Sequence, residues 1–436
     1  MKKTRDIVTI GFALFAMFFG AGNLLLPPFI GLQVGNHVWL TILAFGLTGI
    51  LLPFFGILSI VNSGDTFNDL GNRINKGIAP VLGTVIMLCI GPFIAIPRTA
   101  ATTFEVGVLP SFPNSSPIWT SIIFFGVTWL LTIKPSKVVD IIGNILTPLL
   151  LVLLLGLIGI GVFAPISEYN TESLEASQSF TLGFTEGYQT LDVLASVIFA
   201  GIIITATKMK GYNSIRAKNQ VVIAAGLLSA LCLFLIYGGL IQLGATSGVS
   251  DLTVKRSELL IHISKSLMGH YGMIAIALSI ALACLTTAIA LTSAVGTFFS
   301  QLTQNKLSYK VLVTGCCLVS CLLSITGVDN IISFAYPVLI FVYPIVITLV
   351  LYTVFFGAFI KHKLPYIGAL IASTIIATFN LLKFLGFLNE HTLRILNEIP
   401  FFAYELGWVL PSALFFLIFL VIDKTIENRD TSNKKS

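Results

Sequence analysis

The sequence predicts an all-α polytopic membrane protein with about twelve transmembrane helices. Hydrophobic residues fill 56% of the 436 positions, and only 10% are charged. Soluble domains carry about 25% charged residues, so this composition excludes an ordinary soluble fold. The apolar residues also form stretches of about 20, the length that a helix needs to cross a bilayer. The basic residues are scattered and no nucleotide-binding loop is present, so we expect neither nucleic acid nor an ATPase subunit as a partner.

Twelve apolar stretches qualify as spans, and only loop-sized gaps separate them. The predicted spans cover residues 7–30, 38–61, 78–97, 118–133, 140–164, 188–206, 219–244, 271–300, 310–326, 331–357, 366–388 and 404–422. An even number of spans allows two inverted five-helix repeats, which are common in secondary transporters. We therefore expect one domain over 1–436, with a first repeat at 7–164, a second at 188–357 and two additional helices at 366–422.

The distribution of charge predicts the orientation. Most of the 25 Lys and Arg residues fall on the same side as the N-terminus when the chain is threaded through these spans. The outer loop predicted at 165–187 is acidic and has no basic residue. Because short cytoplasmic loops carry an excess of Lys and Arg, we expect both termini to be cytoplasmic.

The first span contains residues that oppose a regular helix. The tetrapeptide GAGN occupies residues 20–23, and Pro27 and Pro28 follow it. Unwound backbone at membrane depth is tolerated only where it is buried in protein or lines a cavity. Free N–H groups at the start of a half-helix would there attract an anion such as a carboxylate. The alternative is a glycine-rich packing face with a kink, but this pattern exceeds what packing needs.

A second stretch, ALACLTTAIALTSA, lies in the eighth span. Ala283, Thr286 and Thr287 stand at i, i+3 and i+4 and so share one helix face. Two hydroxyls and a carbonyl are ligands that suit a small hard cation. Alternatively, the hydroxyls bond back to carbonyls of their own helix. The break in the first span makes the cation site the favoured interpretation.

Charged residues inside the spans are few. In IGPFIAIPRTA, residues 90–100, the prolines bend the third span near its outer end, and Arg98 is either functional or a snorkelling side chain. Asp192 is the only fair candidate for a proton carrier, and its position at the start of the sixth span is more typical of an interface. This scarcity favours Na⁺ over H⁺ as the coupling ion. It also favours a zwitterionic ligand with an apolar side chain.

Four motifs together resemble the bacterial branched-chain amino acid carriers, the leucine–isoleucine–valine:cation symporters. They are FGAGNLLLPP, GPFIAIPRTA, EGYQTLDVLASVIF and ACLTTAI, and the resemblance covers nearly the whole chain. It implies a LeuT-type fold, a five-plus-five inverted repeat with two extra helices and discontinuous helices one and six. It also implies uptake of leucine, isoleucine and valine with Na⁺ or H⁺ through a bacterial plasma membrane.

The resemblance, extended to LeuT-type carriers, implies binding residues. It implies a Na⁺ site at Ala16, Phe19, Ala283, Thr286 and Thr287. It implies contacts to the substrate carboxylate from Gly20, Ala21 and Gly22, with Asn23 near the substrate or at a second ion site. It implies contacts to the substrate ammonium where span six is expected to break, at Phe199, Ala200 and Gly201.

We therefore expect a Na⁺-coupled importer of branched-chain amino acids rather than an enzyme. Its expected partners are the amino acid, the coupling Na⁺ and the lipid bilayer. One rival is H⁺ coupling with Asp192 as the proton carrier. A channel is a second rival, but broken helices around a closed midplane site argue against an open pore. A membrane sensor that binds amino acid without moving it is a third, and the lack of a soluble output domain in the predicted organisation speaks against it.

Overall fold

The computed structural model describes residues 2–71, 77–169, 174–188, 190, 192–360 and 362–433, and these residues are helical throughout apart from their connections. The α-helices are α1 (Lys2–Phe18), α2 (Ala21–Val34), α3 (Val38–Gly46), α4 (Leu52–Ser63), α5 (Phe67–Gly71), α6 (Ile78–Leu88), α7 (Ala95–Thr102), α8 (Pro117–Thr132), α9 (Val138–Ile141), α10 (Thr147–Phe163), α11 (Ala176–Tyr188), α12 (Asp192–Met209), α13 (Ile215–Ala245), α14 (Arg256–Leu302), α15 (Tyr309–Ser324), α16 (Val328–Phe356), α17 (Leu364–Phe384), α18 (Glu390–Asn397) and α19 (Val409–Asn433). Four π-helical turns adjoin them, at Leu47–Leu51, Cys89–Phe93, Thr103–Val108 and Ile142–Leu146.

The predicted all-helical membrane fold is confirmed. Among the described residues, eight helical segments are long and apolar enough to cross a membrane, and two shorter apolar helices accompany them. The eight segments are Gly22–Ser63, Pro80–Val108, Pro135–Phe163, Asp192–Met209, Ile215–Ala245, Arg256–Leu302, Tyr336–Phe356 and Leu364–Phe384, and the shorter helices are Pro117–Thr132 and Tyr309–Ser324. The total of twelve spans and the division into two repeats stay predictions.

The prediction of an outer loop at 165–187 is wrong in its second half, where α11 forms. The sequence of α11 is too polar to read as a membrane span, but its glycines allow close packing against α3 and the turn that follows it. A Cβ on Gly183 would lie 2.7 Å from the Thr41 carbonyl oxygen, and one on Gly187 would lie 2.4 Å from Thr48 Oγ1. Tertiary contact therefore stabilises a helix that hydropathy does not reveal.

The gap predicted at 245–270 also contains helix, because α14 begins at Arg256. Gly269 interrupts it with φ 57° and ψ −135°, a conformation that residues with a Cβ rarely adopt. This bend lies close to residue 271, where the eighth span is predicted to begin.

Several of the described helices pack against one or both of the halves α1 and α2. The halves α1 and α2 pack along α13, while α14 contacts α1, α2, α7 and α12. The crossing of α2 and α13 is close because small residues face backbone: a Cβ on Gly31 would lie 1.9 Å from the Ile241 carbonyl oxygen, and one on Gly244 would lie 1.8 Å from that of Pro28. This packing brings the end of α1 and the start of α2 into the interior.

Ion pairs join helix ends where α1 begins. The Asp65 carboxylate accepts from Lys208 Nζ and Lys218 Nζ, each at 2.5 Å, and Lys210 Nζ lies 3.7 Å from Asp6 Oδ1. Burial raises the pKa of the Asp65 carboxyl, but the two lysines outweigh this effect and leave the pKa below its usual value. These contacts tie the ends of α12 and α13 to α1 and to the segment after α4.

Candidate substrate and cation site

The predicted break in the first span is confirmed. Helix α1 ends at Phe18 and α2 begins at Ala21. The Gly20 backbone between them is extended, with φ −94° and ψ −174°, and no side chain caps α2. The first N–H groups of a helix have no partner within it, so the start of α2 presents unpaired donors and a positive dipole end inside the protein.

The two predicted halves of the cation site meet at this break. Thr286 Oγ1 lies 3.0 Å from the Ala16 carbonyl oxygen and 3.0 Å from that of Ala283. Thr287 Oγ1 lies 3.4 Å from the Ala16 oxygen and 3.5 Å from the Met17 oxygen. The predicted residues Ala16 and Ala283 supply carbonyl partners to these two hydroxyls. Phe19 supplies none in the described part of the chain, and Met17, which supplies one, was not predicted.

These oxygens fit a small hard cation. The set consists of neutral carbonyl and hydroxyl oxygens from α1 and α14, which hard cations prefer over nitrogen or sulfur. The Thr286 hydroxyl donates to a carbonyl of either helix, so the own-helix bond considered from the sequence is present together with the bond across to α1. Rotation of the two hydroxyls would turn their lone pairs towards a cation at the same place.

Arg98 is the residue whose role the sequence left open, and the structure places it at the break. A Cβ on Gly22 would lie 2.3 Å from Arg98 Nη2, so the guanidinium occupies the space that a side chain would take at the start of α2. The chain reaches this position after a bend at Gly91, where φ is −90° and ψ is −123°. The prolines around Arg98 were the sequence signal for this geometry.

Asn23 connects the first break to the start of α12. Its Nδ2 atom lies 2.8 Å from the Phe18 carbonyl oxygen, 2.8 Å from Asp192 Oδ2 and 2.8 Å from Tyr237 Oη. Asp192, which the sequence suggested to be interfacial, is thus an internal partner of Asn23. Arg98 lies beside Gly22 and Asp192 lies beside Asn23, so one basic and one acidic side chain flank the same break.

The predicted break at Phe199-Ala200-Gly201 is wrong. These residues lie inside α12, which is continuous from Asp192 to Met209, so their backbone groups are engaged in helical hydrogen bonds. The interruption near the predicted start of span six is instead marked by a turn at Thr190, which lies between Tyr188, where α11 ends, and Asp192. Phe199 still lies near the first break, because its ring packs edge-to-face on Phe18 with centroids 5.6 Å apart. Gly201 faces the loop after α4, because a Cβ there would lie 3.6 Å from the Asp65 carbonyl oxygen.

A family described as branched-chain amino acid transport protein matches residues 3–426. The chain belongs to this family. It is 36% identical over 415 residues to the branched-chain amino acid permease BraB of Bacillus subtilis, with 93% of each chain covered. Identity is 37% to BrnQ of the same organism, covering 93% and 94% of the two chains. It is 33% to the branched-chain amino acid transport system 2 carrier protein of Pseudomonas aeruginosa, covering 97% of each.

Solved structures support the fold of this family member. Mhp1, a nucleobase-cation-symport-1 family transporter, superimposes with a TM-score of 0.61 at 13% identity, covering 97% of this chain and 93% of the other. MhsT in complex with L-phenylalanine gives a TM-score of 0.53 at 18% identity, covering 94% and 97%. At these identities the likeness concerns the fold alone, and it confirms the expected LeuT-type architecture.

The sequence predicted most of the separate parts of the site but not all of the contacts between them. The break in the first span is confirmed at Phe19 and Gly20, and the rest of the GAGN motif begins α2. The threonines of α14 lie against α1, as the cation hypothesis requires. The contact between Arg98 and Gly22 and the bond between Asn23 and Asp192 were missed. No local pattern signals them, since 169 positions separate Asn23 from Asp192.

Proposed function

We propose that this protein imports leucine, isoleucine and valine by coupling their uptake to Na⁺ entry across a bacterial plasma membrane, with both termini cytoplasmic. Membership of the branched-chain amino acid transport family supports the substrate class. The convergence of Thr286 and Thr287 on the carbonyls at the end of α1 carries the choice of Na⁺. A neutral oxygen site keeps its ligands at any physiological pH, whereas a proton needs a titrating group.

The charges around the breaks suit a zwitterion. The open start of α2 and the Arg98 guanidinium would bind the substrate carboxylate, since both offer N–H donors and positive charge. The Asp192 carboxylate would bind the ammonium. Phe18 and Phe199 supply apolar surface nearby for a branched aliphatic side chain. The assignment of the ammonium thus moves from the middle of α12 to its first residue.

The coupling follows from the shared use of the α1 break. Na⁺ bound between α1 and α14 would hold these two helices close together. The proposed substrate site also requires them to be close, so each ligand would raise the affinity for the other. Release would follow when α1 moves away from Thr286 and Thr287 and loses the Ala16 carbonyl as a ligand.

Uptake of radiolabelled leucine into proteoliposomes tests the proposal, with an imposed Na⁺ gradient and then an imposed H⁺ gradient. We expect accumulation driven by Na⁺, and we expect Thr287→Val to reduce it by at least about tenfold because one oxygen ligand is lost. Thr297→Val is the matched control, since among the described residues the hydroxyl of Thr297, on the same helix, bonds only to the Ser293 carbonyl. It should leave uptake unchanged.

Other outcomes select the rivals. Accumulation driven only by H⁺ and indifferent to Thr287 would overturn Na⁺ coupling and favour Asp192 as the proton carrier. Binding of leucine without accumulation in either gradient would favour a sensor. Equilibration of leucine without concentration against a gradient would favour a channel.

A further inference from the structure

Tyr343 carries a buried hydroxyl that the structure leaves without a partner. It lies on α16, and its side chain is 2% exposed. Within the described part of the chain, its Oη atom makes no hydrogen bond. Buried polar groups nearly always have a partner, so an orphaned hydroxyl points to a ligand that completes it.

The surroundings of this hydroxyl place it at the break of span six. The Tyr343 ring lies against that of Tyr188, the last residue of α11, with centroids 4.8 Å apart. Helix α16, which carries Tyr343, also packs on α12, which begins at Asp192. Tyr343 therefore lies near the region of the proposed ammonium contact.

Tyr188 is in turn held by a residue from outside the two predicted repeats. Trp408 Nε1 donates to Tyr188 Oη at 3.1 Å, and both side chains are buried. Trp408 directly precedes α19, which packs on α17. The same segment also contacts α16, because Tyr336 Oη donates to Glu405 Oε1 at 2.5 Å. The segment before α19 thus reaches Tyr188 through Trp408.

We propose that the Tyr343 hydroxyl donates or accepts a hydrogen bond at the charged end of the bound amino acid, beside Asp192. Trp408 and Tyr188 are positioning residues that hold the Tyr343 ring for this contact. The inference rests on the proposed function and extends it. It makes the segment before α19 a part of the substrate site, so that the additional helices contribute to substrate affinity as well as to packing.

Leucine uptake kinetics in proteoliposomes, with thermal unfolding of each variant as a folding check, test this assignment. Tyr343→Phe should raise KM for leucine by about tenfold with Vmax preserved, because one hydrogen bond to a charged group is lost. Tyr352→Phe is the matched control. Tyr352 lies on the same helix and pairs with Ser412 of α19 at 3.3 Å, so its loss perturbs the same helix contact away from the break.

A double-mutant cycle tests the positioning residues. Tyr188→Phe removes only the hydroxyl, whereas Trp408→Phe removes the indole N–H together with part of the ring. Each should raise KM by about threefold through loss of the hydrogen bond between them. The double variant should be no worse than either single one, because both remove the same hydrogen bond. Additive effects would overturn the positioning role.

The outcomes separate the two levels of the proposal. An unchanged KM in Tyr343→Phe would overturn the assignment, as would an equal rise in Tyr343→Phe and Tyr352→Phe. If Tyr343→Phe does not fold, an unchanged KM in Trp408→Phe overturns it instead. A wild-type protein that neither accumulates leucine nor is stabilised by it against heat would overturn the proposed function, and this assignment with it.

Discussion

The two interrupted helices expose different chemistry at their breaks. Between α1 and α2 the chain turns through the extended Gly20, and no side chain caps the second half. The second half of the other pair, α12, begins with a carboxylate, Asp192, at its N-terminus. The first break therefore offers bare N–H and C=O groups, whereas the second adds a negative side chain where a helix dipole favours one.

This difference shows how each break is stabilised without water. The carbonyls freed at the end of α1 face the hydroxyls of Thr286 and Thr287, and the start of α2 faces the Arg98 guanidinium. Asp192 is held by Asn23, which belongs to the first break. The first break thus depends on other helices, and the second depends on the first. A perturbation of either should reach the substrate site.

The largest effect is expected from Arg98→Gln, which removes the positive charge from the first break. Loss of a charge-assisted contact to the substrate carboxylate costs about 2–5 kcal/mol, so uptake measured as Vmax/KM for leucine should fall by between about 30-fold and several thousand-fold. Arg394→Gln is the control, because Arg394 is exposed on α18. Near-normal uptake in Arg98→Gln would show that the N–H groups of α2 suffice for the carboxylate.

Asp192→Asn should have the next largest effect, at the second break. The amide keeps an oxygen that accepts from Asn23 but loses the charge that would bind the ammonium, so KM for leucine should rise by about 30-fold. Uptake assays at several pH values with Na⁺ held constant measure this. Asp251→Asn, in a loop where Asp251 bonds Thr253, should change nothing. Intact concentrative uptake with an intact pH response would remove Asp192 from both the ammonium site and the H⁺ alternative.

A smaller effect is expected from Gly22→Ala, which tests the first break without changing charge. The added Cβ would collide with Arg98 Nη2 and displace the guanidinium, which is flexible enough to move. Uptake should fall by about tenfold, less than in Arg98→Gln because the charge stays nearby. Gly156→Ala is the control, since a Cβ there meets nothing within 4 Å. Equal uptake in the two alanine variants would mean that Arg98 does not act through its place beside Gly22.

The sequence alone determined the membrane fold, the first break and the face that carries the threonines. Each is a local property. Hydropathy follows from about 20 consecutive residues, a glycine-rich break from four, and a shared helix face from the spacing of Ala283, Thr286 and Thr287. The π-helical turns and the bend at Gly91 change the local helix geometry, but they leave the order of the predicted spans unchanged.

Only the tertiary structure decided where span six breaks and which charges meet. Helix α11 is polar and is stabilised by the packing of its glycines against α3, so hydropathy did not predict it. The break was therefore predicted inside α12, at Phe199-Ala200-Gly201. Arg98 and Asp192 are two isolated charges in the sequence, and their meaning depends on the helices that bring them to the same place. The physical reason is that the role of a buried charged side chain depends on the residues that contact it. The folded chain brings these residues together from distant positions.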